Sequence, residues 1–240
     1  MAEWLRLKEY AGSNPALASN YLTKRIRIII DNIINKTTMA NLLTQNSKLK
    51  KTSKVLGLKV FNFGIPAYKS ITGKLTCPMA DECIKFCYAR KSAYTWSNVK
   101  PAFERRYELT KTSDFIVEMN AEIQKRKPQY VRVHDSGDYY SREYLQKWIE
   151  IAKANPDVRF YSYTNMVELL KEITLPENYD IIYSMSGKQK HMINTEVDRH
   201  ARIFSNSIEL LKFGYTDTSE IDLYATKWFN KTNKVGLIIH

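Results

Sequence analysis

From residue 130 onward, short runs rich in Val, Ile, Phe and Tyr alternate with segments of helical periodicity, and this rhythm restricts the fold more than any other feature. Tyr130-Val131-Arg132-Val133-His134 reads as a strand and leads to a helix from Ser141 to Ala154. Val158 to Tyr163 reads as a second strand, followed by a helix around Met166–Ile173. Asp180 to Ser184, Ala201 to Phe204 and Val235 to Ile239 continue the series. Strands separated by helices are joined by crossovers, which favours parallel pairing. With Leu58–Phe63 as the first strand, about six strands are expected. The expected fold is α/β, an open or partial (β/α)6 barrel.

Upstream, residues 13–36 have a helical pattern that Ser13 or Asn14 can cap, with Pro15 at the first turn. Met39–Leu43 reads as a second short helix. Lys48-Leu49-Lys50-Lys51-Thr52-Ser53-Lys54 reads as a basic turn-like segment. Residues 99–126 read as a helix in two pieces, with Ser113 or Asp114 capping the second. The expected organisation is a basic helical extension over 1–54 and a (β/α) domain over 55–240, without an internal linker.

Charge is unevenly spread. Residues 1–60 carry eleven Lys and Arg against three acids, whereas residues 128–240 carry fourteen against fifteen. A one-sided basic field attracts polyanions, so nucleic acid is the expected partner of the N-terminal half. A solvated basic loop accounts for the same charges. No run of about 18 apolar residues is present, which excludes a transmembrane helix. The first residues lack a signal-peptide pattern, so a cytoplasmic location is expected. No nucleophile elbow, Walker loop or dinucleotide fingerprint occurs.

The three cysteines, Cys77, Cys83 and Cys87, fall within eleven residues as C-x5-C-x3-C. Thiols this dense usually hold a soft metal. Zinc needs a fourth ligand, and His134, His191, His200 or His240 would have to come from afar. Three thiolates on a [4Fe–4S] cluster leave one iron open. Unmetallated core thiols are the third reading. In a parallel sheet the working residues lie at the carboxyl ends of strands. There the chain places the cysteine segment, His134-Asp135-Ser136-Gly137-Asp138, Tyr163-Thr164 and Ser184.

Phe86 directly before the last cysteine, on a loop after the first strand of a partial barrel, resembles radical S-adenosylmethionine enzymes, although their usual spacing is C-x3-C-x2-C. The resemblance to the phage-encoded gene product 88 family is closer. It rests on Leu43–Leu49, Phe63–Ala67, Thr76-Cys77-Pro78 through Cys87-Tyr88-Ala89, Val131–Ser141, Phe160–Thr164 and the tail from Gly214 to His240. The radical-enzyme resemblance implies Cys77, Cys83 and Cys87 as cluster ligands. It also implies S-adenosylmethionine as a cofactor contacted by Phe86, Ser136, Gly137, Asp138, Tyr163, Thr164 and Ser184. His134 and Asp135 are the expected catalytic pair, able to position substrate or relay protons. A core histidine and a simple strand-to-helix turn are the alternatives at those positions. The phage resemblance implies action in an infected host cell, with nucleic acid, a host protein or a phage protein as partner. In a non-catalytic alternative, the iron–sulfur or zinc site is structural.

Overall fold

The computed structural model describes residues 41–239; the helix expected over 13–36 lies outside them. The described residues from Leu42 onward form one compact unit that holds the sheet. Seven parallel strands lie in the order β1-β2-β3-β4-β5-β7-β6: β1 (Val60–Phe63), β2 (Tyr130–Val133), β3 (Arg159–Thr164), β4 (Tyr179–Ser184), β5 (His200–Phe204), β6 (Thr216–Asp217) and β7 (Lys234–Ile238). The sheet curls into an open half-barrel. The first five strands follow one another across the sheet, as expected. The two-residue β6 raises the expected six strands to seven. It pairs through Thr216 and Asp217 with Val235 and Gly236 of β7, too short a run to leave an alternating signature.

Strand parity divides the core in two. Val131, Val133, Phe160 and Ile181 face one side. They pack there with Phe115, Met119 and Ile123 of one helix and Leu145, Trp148 and Ala152 of another. Tyr130, Tyr161, Ile182 and Val235 face the other side and pack with Leu49, Leu223 and Ala225. The helices are α1 (Ser47–Leu56), α2 (Cys83–Phe86), α3 (Lys100–Thr110), α4 (Asp114–Arg126), α5 (Arg142–Ala154), α6 (Val167–Lys171) and α7 (Ser207–Lys212). Short 3-10 turns add to these, including Asp222–Ala225. The break between α3 and α4 falls where expected. Ser141 caps α5 by accepting from the Tyr144 amide.

Two expectations near the start are corrected. Lys48–Lys54 is helical, within α1. Asn46 caps its start by accepting from Leu49 N, and Gly57 ends it in the left-handed region. Leu49 and Thr52 are the buried residues of this helix, while Lys50 and Lys54 face solvent. Helix α1 runs across residue 54 and packs against the sheet. Of the helix expected over Met39–Leu43, the described part is a bend rather than a helix. The chain there seats Leu42 and Leu43 in the core and pairs Thr44 antiparallel with Asn62.

Candidate functional site

The segment between β1 and α3 carries the cysteines and is stitched across the carboxyl rim of the sheet. Thr76 O accepts from Asp138 N at 2.9 Å, and Ser136 O accepts from Ile65 N at 3.0 Å. Cys83 N donates to Ser186 O at 3.3 Å, and Lys188 N to Met79 O at 2.9 Å. The loops after β1, β2 and β4 are thereby joined. Cys83 opens the one-turn helix α2 and Cys87 follows it, so the two stand four residues apart on one side. Tyr68 N donates to Cys77 Sγ at 3.3 Å, and Asn165 Nδ2 approaches Cys83 Sγ at 3.8 Å.

All three thiols are free, partly buried and open onto one cavity of about 150 Å³. Burial pushes the Cys77 thiol far above its ordinary range, with Asp138, Cys87 and Cys83 adding to the effect. Burial raises Cys83 as well, against hydrogen bonds from Asp81 and Ser186. Among the described residues, no three His, Cys, Asp or Glu side chains form a ready-made metal cage.

The cavity also receives His134, Asp135, Ser136, Gly137 and Asp138 after β2, Tyr163 and Thr164 at the end of β3, and Ser184 at the end of β4. Every expected site residue except Phe86 therefore lines one space. Phe86 lies on the far side of α2 and lines a separate groove with Phe213 and Tyr215. Cys83, Ile84 and Cys87 line the cavity, whereas Phe86 does not.

His134 is a buried, satisfied residue. Its Nε2 meets Tyr144 Oη at 2.9 Å and its Nδ1 meets Ser162 Oγ at 3.4 Å. Burial, reinforced by Arg132, lowers its pKa to about 3. Its φ is +68°, in the left-handed region. Asp135 accepts from Tyr94 Oη at 2.8 Å, and its backbone carbonyl accepts from the Tyr88 hydroxyl. Burial raises the Asp135 carboxyl against the pull of Arg132 and Tyr94. Asp138 accepts from Thr164 Oγ1 at 2.6 Å, Asn165 N at 2.9 Å and Tyr139 N at 2.8 Å. Burial still lifts its pKa to about 6. The Ser136 hydroxyl is buried with no hydrogen-bond partner, an opening for a ligand.

Gly137 is the backbone hinge of this stretch, at φ +86°, with a Cβ position only 2.2 Å from Ile65 Cγ1. Gly137→Ala is expected to cost about 1–3 kcal/mol by overpacking and about 1 kcal/mol more from the left-handed backbone. Thermal unfolding reads this loss, and an unchanged melting point contradicts it.

Arg132 was not singled out by sequence, although one arginine in the apolar run of β2 is itself a signal. Its guanidinium lies 4.9 Å from the Tyr163 ring centroid and lines the cavity wall. Arg132 Nη1 also donates to Asp222 at 3.0 Å, and Lys48 Nζ reaches the same oxygen at 2.9 Å.

The family model for gene product 88 matches residues 38–236, a span that contains all three cysteines and the whole cavity. The chain belongs to the gene product 88 family. The gene 88 protein of Mycobacterium phage L5 is 30% identical over 117 residues, covering 44% of this chain and 47% of that protein. The gene 88 protein of Mycobacterium phage D29 is 26% identical over 152 residues, covering 53% of this chain and 62% of that protein. The chain thus aligns with about half of each of these family members. No solved structure matches it. Among the described residues of this gene product 88 protein, no helix is long and apolar enough to cross a membrane.

Proposed function

We propose that Cys77, Cys83 and Cys87 hold a [4Fe–4S] cluster, that S-adenosylmethionine binds at the iron left without a thiolate, and that the chain acts on nucleic acid. One observation carries the reading: three free thiols and the Ser136-Gly137-Asp138 turn meet in a single cavity at the carboxyl ends of parallel strands. The donor set fits such a cluster better than zinc. His134 is engaged by Tyr144 and Ser162, and His200 by Asp198 O and Tyr215. When bound, the cluster supplies one-electron chemistry at the open iron. The chain's own residues bind and orient. Gly137 lets backbone approach the ligand, Ser136 Oγ offers an unused hydrogen bond, and Tyr163 gives a ring edge held by Arg132. Neutral His134 braces the rim by its bonds to Tyr144 and Ser162.

The engagement of Asp138 favours a second reading. With three donors already on its carboxylate, it ties the β2 loop to the end of β3. The cysteine site is then structural, iron–sulfur or zinc, in a non-catalytic phage protein that binds nucleic acid or a host partner.

Electron paramagnetic resonance of anaerobically reconstituted, dithionite-reduced protein separates the two. A reduced-cluster signal that shifts on adding S-adenosylmethionine, with iron lost in Cys83→Ala, is expected. A signal indifferent to the cofactor supports the structural reading, and zinc in place of iron overturns both the cluster and its chemistry.

A further inference from the structure

We propose that a second pocket, adjoining the cysteine cavity, binds a phosphate monoester carried by the molecule that enters that cavity. The inference rests on the proposed function only in treating the cysteine cavity as the place of reaction. The two spaces share Ala67, Ala89, Arg90 and Ser136, so one ligand can extend across both.

The second pocket is built for an anion. Lys69 and Arg90 both lie against the Tyr68 ring, at 5.2 and 5.5 Å from its centroid, and both line this pocket. Lys100, the first residue of α3, joins them. One acid, Glu104, lines the pocket, and one of its oxygens already accepts from Ile71 N at 2.7 Å. The independent observation is Ser136. It is 5% exposed, its hydroxyl has no partner, and it lines both spaces. A buried hydroxyl left unpaired costs free energy that a ligand oxygen recovers. Three cations and a free hydroxyl suit the several acceptor oxygens of a phosphate. The tilted pair Tyr94 and Phe103, 5.4 Å apart, forms the apolar wall beside them.

Calorimetric titration of the full chain tests the subsite with inorganic phosphate, a nucleoside 5′-monophosphate and the matching nucleoside. The monophosphate is expected to bind at least about tenfold more tightly than the nucleoside, a difference of one charge-assisted contact. Lys100→Glu and Lys69→Ala should each weaken it by about tenfold, and Ser136→Ala by several-fold. Circular dichroism confirms that each variant is folded. A short single strand with and without a 5′-phosphate identifies the source: preference for the phosphorylated end places the monoester on nucleic acid, and its absence places it on a small molecule. Equal affinity for nucleoside and monophosphate, or wild-type affinity in both lysine variants, overturns the proposal. Iron content is measured on the same samples. A chain that takes up no iron yet still discriminates the phosphate removes the cluster reading and leaves the subsite standing.

Discussion

Asp222→Ala is expected to remove about 3–5 kcal/mol of stability, the usual cost of stripping the partner from a buried charge. Domains of this size are stable by about 5–15 kcal/mol, so the loss brings the fold near its limit. The Asp222 side chain is fully buried on the sheet face opposite α4 and α5. One of its oxygens takes Arg132 at 3.0 Å and Lys48 at 2.9 Å; the other takes Tyr161 Oη at 2.7 Å. Its backbone amide donates to Thr52 Oγ1 of α1 at 3.0 Å. Burial alone pushes the carboxyl up, but Arg132 and Lys48 outweigh it and hold the group well below the usual carboxylate range. Arg132 is correspondingly raised, its burial outweighed by Asp222. A depressed acid stabilises the fold above its unfolded pKa, and the contribution fades as pH falls below about 4. Removing Asp222 also frees the guanidinium that braces Tyr163 at the cavity wall. Urea unfolding of Asp222→Ala beside Lys48→Met checks the assignment. The lysine variant keeps Arg132 on the carboxylate and should lose less than about 1 kcal/mol. Equal losses in the two variants contradict a network centred on Arg132.

The second large effect is a pH dependence assigned to His134. The ring is buried and neutral, with its pKa lowered from the ordinary 6.5 to about 3 by burial and by Arg132. A base depressed in the fold binds its proton more readily once unfolded. The stability it protects is therefore complete above pH ~6.5 and lost as pH falls toward 3. Across that window the loss approaches about 1.4 kcal/mol per pH unit for one proton. Asp138, raised by burial to about 6, acts in the opposite sense, stabilising as pH falls through 6. The informative quantity is the difference between the wild type and His134→Asn, since Asp138 is common to both. Asn tolerates the left-handed backbone at φ +68°. Urea midpoints from pH 7.5 to 5 should fall more steeply in the wild type than in the variant; parallel slopes refute the assignment.

Local patterning and rim placement are legible in the sequence. Alternation along Tyr130–Val133 and Arg159–Thr164 records which residues face each side, because side chains on a strand alternate whatever the rest of the chain does. The same holds for the capped helix α5 and for the break between α3 and α4. The joining of Cys77, Cys83 and Cys87 to Ser136, Gly137, Asp138 and Thr164 was foreseeable too, because parallel strands bring their carboxyl ends to one edge. Helix α1 is hard to read from the sequence because Lys48, Lys50, Lys51 and Lys54 give it the look of a basic loop. Leu49 and Thr52, which seat it, and the caps Asn46 and Gly57 are quieter signals.

By itself the sequence determined the βαβ rhythm, the clustered thiols and the rim on which polar residues gather, since each depends on spacing along a few neighbouring residues. Only the tertiary structure decided that Arg132 and Asp222 pair across 90 residues, that Phe86 turns away from Cys83, and that Ser136 keeps a hydroxyl free between two pockets. The reason is physical. Parity and periodicity assign a side chain to a face, whereas its partner depends on which distant segment the closed sheet brings opposite it, and on which of two burial sites satisfies its charge or hydrogen bond.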